Sequence, residues 1–268
     1  MRLRVIGLSL ALTTVACDPD GDGLTTAQEK QIGADPQVAD SDADGLDDLG
    51  EWNWGTDPMS ADSDGDGYDD GDEVCFGSDP LDQASKIYKG GWPYNCDKDA
   101  WGGDDWSNEA TKNAQVPRID LRDQFGDRVD IYDYAFHDGK PVVIDISAGW
   151  CPPCQDLAAY IEGENNWVAD IAPSLPDLVN NGDIYWLTIL GENAQGGEAD
   201  KTAAAAWADD FPNDHIPVLA DKDQELVSWV SLYAWPTIMV LHEDMTIQFY
   251  DNQDPWFALE KLEKNYGY

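Results

Sequence analysis

The chain has 268 residues, enough for one domain of ordinary size and a smaller companion, and carries 54 acidic against 15 basic residues, a net charge of −39. Nucleic acid is excluded as a partner, because holding phosphates takes clustered Lys and Arg, and cations are favoured instead. The acids fall in two blocks: residues 18–83 hold 21 acids and one base, residues 113–268 hold 28 acids and 8 bases, and 84–112 between them is nearly neutral.

The first stretch reads MRLRVIGLSLALTTVAC, two arginines followed by an apolar run from Val5 to Ala16. The run falls short of the roughly 20 residues that span a bilayer and reads as a secretory signal peptide over residues 1–16. Small residues lead straight into Cys17, which resembles a bacterial lipobox and implies a lipid on Cys17. Thr14 stands where an aliphatic residue is usual, so cleavage after Ala16 without a lipid is the alternative. The cysteine count favours the lipid: of five cysteines, giving up Cys17 leaves 75, 96, 151 and 154 as two pairs.

Between 18 and 83 the chain repeats with a period of 22 as DPDGDGLTTAQEKQIGADPQVA, DSDADGLDDLGEWNWGTDPMSA and DSDGDGYDDGDEVCFGSDPLDQ. Each copy opens with Asp at positions 1, 3 and 5, Gly at 6 and Glu at 12. Calcium takes six to eight hard oxygens, and a 12-residue loop supplies them from alternate positions and a bidentate Glu, with Gly at 6 for the sharp turn. The candidate ligands are Asp18, Asp20, Asp22 and Glu29; Asp40, Asp42, Asp44, Asp48 and Glu51; and Asp62, Asp64, Asp66, Asp70 and Glu73. Most acidic runs are solvated tails, but random acidity does not keep register over three copies. GADP, GTDP and GSDP follow within a few residues of each Glu, so the flanking helices of an EF-hand are expected to be absent. The array resembles thrombospondin type 3 repeats of bacterial surface proteins. Dockerin repeats match it less well, since they come in pairs and usually carry Asp at position 12. The resemblance implies a compact calcium-wired array with little apolar core.

Cys75 occurs in the third copy only. Pairing it with Cys96 would tie the last repeat to the segment after it by a structural disulfide. Residues 84–112, rich in Gly and Trp, read as a linker whose Trp92, Trp101 and Trp106 pack between two domains.

From 113 the pattern changes. KPVVIDIS (140–147) is a buried strand, CQDLAAYIEGE a helix, DIYWLTIL (183–190) a strand, ADKTAAAAWADDF (199–211) a helix, and IPVLA, WPTIMVLHE and MTIQFY further strands before the helical PWFALEKLEK. Alternating strands and helices predict an α/β domain over 113–268, its mixed central sheet flanked by helices and ending in an antiparallel hairpin. Cys151 and Cys154, in GWCPPCQD, stand between a strand and a helix. Zinc would need two more ligands at matching spacing, which the scattered His137, His215 and His242 and the remaining cysteines do not offer. A bridge across one helical turn constrains almost nothing as a staple. A redox couple is left, with Cys151 at a helix N-terminus where free N–H groups favour a thiolate.

VVIDISAGWCPPCQ together with WPT at 235–237 resembles the thioredoxin fold, and more narrowly the TlpA/ResA-like thiol–disulfide oxidoreductases of bacterial envelopes. The resemblance covers 113–268. It implies that Cys151, behind Trp150, is the exposed nucleophile and Cys154 the resolving cysteine. It also implies that Pro236 is a cis-proline facing the pair, preceded by Trp235, and that Asp145 is the buried acid that deprotonates Cys154. Trp235 is larger than the residue usual before that proline and would narrow the groove. Peroxiredoxins share the fold but need a Thr where Ala148 stands. Pro152 and Pro153 remove two N–H donors that could hold a thiolate, which points to a reducing pair. The expected function is reduction of disulfide-containing protein substrates, with a membrane thiol as electron donor, calcium as structural ion and no organic cofactor. The competing reading is a calcium-dependent adhesion or scaffold protein whose thioredoxin-like domain only binds.

Overall fold

The computed structural model describes residues 17–136 and 138–268, so the signal-peptide reading of 1–16 lies outside the described residues. The chain divides into two units, one ending at Lys86 and one running from Ile87 to Tyr268.

In the first unit each acidic loop runs into a helix of two turns: α1 (Thr26–Ile32), α2 (Asp48–Trp54) and α3 (Asp70–Phe76). These helices correct the expectation that none flanks the loops. The Gly of each GxDP motif does not abolish the helix. It ends it, as a C-cap with φ of 95°, 86° and 96° at Gly33, Gly55 and Gly77, a conformation that costs glycine little. At the start, Thr25 forms a capping box with Gln28 and Asp47 accepts the N–H of Gly50. The 22-residue register shows in the backbone, where Thr26, Asp48 and Asp70 donate to the carbonyls of Cys17, Ala39 and Ala61. Leu24, Ala34 and Tyr68 are the buried apolar side chains described here, while Glu29, Glu51 and Glu73 are fully buried. Carboxylates occupy the place of a core.

The second unit is built on a seven-stranded mixed sheet. The strands are β1 (Asp120–Arg122), β2 (Arg128–Asp130), β3 (Val142–Ala148), β4 (Tyr185–Glu192), β5 (Val218–Ala220), β6 (Thr237–Leu241) and β7 (Ile247–Phe249), in the order β2-β1-β5-β4-β3-β6-β7. β3, β4 and β5 are parallel, and both margins are antiparallel hairpins. Helices α4 (Pro152–Ile161), α5 (Leu175–Asn180), α6 (Lys201–Asp210), α7 (Glu225–Val230) and α8 (Phe257–Tyr266) complete the layers. Every residue of β3 is buried, as fits a mostly apolar strand between β4 and β6 in the middle of the sheet. Val143 of β3, Trp186 of β4, Ile238 of β6, Leu157 and Ile161 of α4 and Leu259 of α8 belong to one apolar core.

Residues 87–112, read above as a linker, belong to this unit. Trp92 is buried and donates its indole N–H to Asp123 at 2.8 Å, Tyr88 donates to Asp133 at 2.7 Å, and Lys98 pairs with that same buried carboxylate. Trp101 stacks on Phe136 with ring centroids 4.0 Å apart, and Trp106 is largely exposed. Trp92 and Trp101 therefore pin this segment to its own unit. No described helix is long and apolar enough to cross a membrane.

Candidate functional site

β3 delivers the chain to the cysteines. After Ala148 comes Gly149, whose N–H bonds the Glu192 carbonyl at 2.9 Å. A Cβ at 149 would sit 2.7 Å from the Ala194 nitrogen, so only glycine allows this approach. Cys151 is the N-cap of α4, with Pro152 and Pro153 filling the first two helical positions. Cys151 and Cys154 are joined, with Cα atoms 5.3 Å apart. The prolines carry no N–H, so the first helical donor is Cys154, which gives its N–H to Cys151 Sγ at 3.2 Å. One donor of the helix start thus reaches the sulfur where three could have.

β6 closes the site from the other side. It pairs antiparallel with β3, Ile146 opposite Thr237, so the preceding Trp235–Pro236 bond lies at the strand end from which Cys151 emerges. That bond is cis. Trp235 packs against the apolar cluster that holds both cysteines with Ala148, Leu190 and Trp207. Its ring fills the space beside Gly191, where a Cβ would meet it at 2.6 Å. Trp150 is 45% exposed and donates its indole N–H to Glu192 Oε2 at 2.6 Å.

One expectation is corrected here. Cys151 is 2% exposed, not the open sulfur the resemblance implied. Helix-start geometry alone would leave it at the surface, but Cys151 belongs to the apolar cluster of Ala148, Leu190 and Trp207, against which Trp235 packs.

Asp145 is 2% exposed in mid-β3, opposite Thr188 and Ile238. By strand alternation it shares the sheet face of Val143, and α4 covers that face with Leu157 and Ile161, on the same stripe as Cys154. Burial pushes its carboxyl up to about 7, although the Ser147 hydroxyl, 2.7 Å away, and Thr188 hydrogen-bond it and pull the other way.

The first unit offers a second kind of site. Ligand oxygens of Asp18, Asp20 and Asp22, of Asp40, Asp42 and Asp44, and of Asp62, Asp64 and Asp66 lie within 4.8 Å of one another in each trio. Each repeat also holds buried carboxylate oxygens without a hydrogen-bond partner: Asp20 Oδ2, Asp22 Oδ2 and both oxygens of Glu29; Asp42 Oδ2 and both oxygens of Glu51; Asp64 Oδ2, Asp66 Oδ2, Asp70 Oδ2 and Glu73 Oε2. A buried unpaired acceptor is costly, and a hard divalent cation is the group that would satisfy so many anionic oxygens together. Burial, reinforced by neighbouring acids, raises the Glu51 carboxyl to about 8 and that of Glu73 to about 7, the latter against a hydrogen bond from the Ser78 hydroxyl. Sequence reading placed Asp48 in its own loop. The structure instead groups Asp48 with Asp22 and Glu29, so position 9 of the second repeat serves the first. Asp70 stands likewise to the second repeat: Asp42 feels its charge, and its neighbour Gly71 donates to Asp44. Periodicity reveals equivalent positions but not which neighbour each one faces.

Residues 18–39 and 62–83 match the Bacterial TSP3 repeat family, in the first and third copies. No curated protein matches the chain. Among solved structures the chain is similar to a thioredoxin-like protein from Bacteroides caccae, at 13% identity, 60% of this chain and 52% of that one, with a TM-score of 0.45. It therefore spans about half the length of that protein. It is also similar to a thiol-disulfide oxidoreductase from Bacteroides fragilis (15% identity, 56% of this chain and 98% of that one, TM-score 0.41). A third is a secreted disulfide oxidoreductase from Mycobacterium tuberculosis (19% identity, 55% and 92%, TM-score 0.37). At such identities the likeness concerns the fold, and the chemistry has to be argued from the site.

Proposed function

We propose that the second unit is a thiol–disulfide oxidoreductase that reduces protein disulfides at the cell envelope, carried on repeats ordered by calcium. The observation that carries the redox reading is the Cys151–Cys154 bridge at the start of α4, at the strand end where the cis Trp235–Pro236 bond also lies. In the reduced pair the Cys151 thiolate attacks one sulfur of a substrate disulfide. The substrate S–S bond breaks, a mixed disulfide forms, and the departing substrate thiolate takes a proton. Asp145 takes the proton of Cys154, whose thiolate then attacks Cys151 Sγ. The 151–154 bond forms and the second substrate thiol leaves, two electrons having passed from pair to substrate. A carboxyl held near 7 is suited to accepting and returning a proton at neutral pH. Trp150, held by Glu192, forms an exposed wall beside the reactive cysteine. Because Cys151 is buried, substrate reaches it by displacing part of its surroundings, and Trp235, partly buried against the cysteine cluster and next to Pro236, is the piece taken to move.

The reducing direction rests on the two prolines, which leave a single N–H on Cys151 Sγ and so less stabilisation of a thiolate than a fully donating helix start would give. A thiol donor at the membrane would restore the pair. Calcium, when bound by the three carboxylate sets with Asp48 and Asp70 shared between repeats, supplies charge neutralisation and order to a segment that otherwise lacks a core. A lipid on Cys17 and a Cys75–Cys96 disulfide belong to the same reading, both fitting an oxidising envelope compartment.

The test is disulfide reduction by the full chain. Wild type should turn over, Cys151→Ser should be inactive, and Cys154→Ser should accumulate a mixed disulfide with substrate that gel electrophoresis detects without reductant. A wild type that binds disulfide proteins but never exchanges with them would favour the scaffold reading.

A further inference from the structure

A cavity of about 370 Å³ opens beside the redox motif. Gly149, two residues before Cys151, lines one side. Leu190, Ala203 and Trp207 form an apolar wall, and Leu190 and Trp207 belong to the same cluster as the two cysteines. Asp200 and Asp210, at the two ends of α6, supply its charges. Among the described residues no Lys or Arg lines it. Asp200 is held ionised by the N–H groups of Thr202 and Ala203, 2.9 and 3.1 Å from Oδ1, which keep its carboxyl below the usual range. It also borders a second cavity that contains Lys201 and Lys222.

We infer that this cavity is a subsite for a lysine or arginine side chain that flanks the substrate's disulfide. The inference rests on the oxidoreductase reading and names the substrate class. A long basic side chain is apolar along its stem and cationic at its tip, and it lays the stem on apolar surface while keeping the charge at polar groups. This cavity offers that pairing: an aliphatic and indole wall with a carboxylate at each end of α6, about 15 Å apart, so that the cation meets one of them. A neutral side chain would forgo the attraction of these carboxylates, and an acidic one would meet like charge. The subsite also has a firm edge. Asn193 ties the β4–α6 loop by accepting from Gln195 and Gly197 and donating to Glu198, and a Cβ added at Gly196 would lie 3.8 Å from the Trp150 ring. Trp150 and the subsite thus flank the same approach to Cys151.

The experiment uses the full reduced chain with calcium and three short cystine peptides that differ only in the residue next to the disulfide: Lys, Ala or Glu. Stopped-flow kinetics give the exchange rate constant for each, and the readout is the Lys-to-Ala ratio. Wild type should favour Lys over Ala by about fivefold, with Glu slowest, the scale of a partly exposed cation–carboxylate contact. Asp200→Asn with Asp210→Asn should bring the ratio near parity, asparagine retaining the cap on α6. A control removing two exposed acids elsewhere, Asp177→Asn with Glu260→Gln, should keep the wild-type ratio. Equal rates for the three peptides in wild type would overturn the subsite. So would a ratio that survives in the double variant, or one lost equally in the control, which would show a general effect of net charge. No exchange with any peptide would instead overturn the oxidoreductase reading, and the subsite with it.

Discussion

Asp145 shows how a single residue links stability to chemistry. Its carboxyl is raised to about 7 by burial, against an ordinary value of 3.8, so the folded chain keeps this proton after the unfolded chain has lost it. Below pH about 4 both states are protonated and the group contributes no difference. Between about 4 and 7 stability falls as pH rises, and above 7 the loss levels off at about 4 kcal/mol at most. Asp145→Asn should therefore be more stable than wild type at pH 8 by a few kcal/mol and close to it at pH 4, by urea unfolding of the second unit, while slowing resolution of the mixed disulfide. A variant equally stable at both pH values would mean that Asp145 is ionised in the folded chain. Trp235 carries the other prediction at this scale. Trp235→Ala should speed alkylation of reduced Cys151 several-fold, because it removes the partly buried ring packed against the cysteine cluster; an unchanged rate would place the gate elsewhere. The cysteines, Asp145 and Pro236 could be read from the motif because they are fixed by local spacing. The burial of Cys151 could not, since the residues around its cluster include some from β4 and from the segment before β6.

At the scale of elements, the apolar runs announced β3 to β7 and α4, α6 and α8, because buried parallel strands are continuous β-branched stretches. The β1–β2 hairpin was missed. Its sequence, DLRDQFGDRVD, alternates charge with single apolar residues at a sheet margin, and what shapes it is the Asp123 side chain accepting the N–H groups of Phe125 and Asp127. Helices α5 and α7 are only six residues each, too short for a periodic signal. In the repeats, period gives the equivalent acidic positions, but the cross-repeat place of Asp48 appears only in three dimensions. Asp48→Asn should therefore weaken calcium binding in the first repeat more than in the second, followed through the amide shifts of Gly23 and Gly45 during titration. The opposite order would return Asp48 to its own loop. Gly149→Ala tests the join between β3 and α4. Its Cβ would press on the backbone of 193–194, and the expected cost is about 1–3 kcal/mol with loss of the Trp150–Glu192 contact.

For the whole molecule, on the proposed reading, the two units draw their stability from different sources, one from carboxylates neutralised by calcium and one from an apolar core around a mixed sheet. Calorimetry should resolve two transitions, with chelator abolishing that of the repeats and barely moving the other; one transition that calcium leaves unmoved would refute a calcium-ordered array. The claim on which the functional account turns is that Cys151 and Cys154 form a reducing couple, and its most direct test is the midpoint potential of the pair. The chain is equilibrated in defined dithiol buffers, and the thiols of 151 and 154 are quantified by alkylation and mass spectrometry, with calcium and with chelator. The account predicts a value near or below about −270 mV, and a value near about −120 mV would contradict it, making the pair an oxidant despite the two prolines that withhold their N–H groups from Cys151.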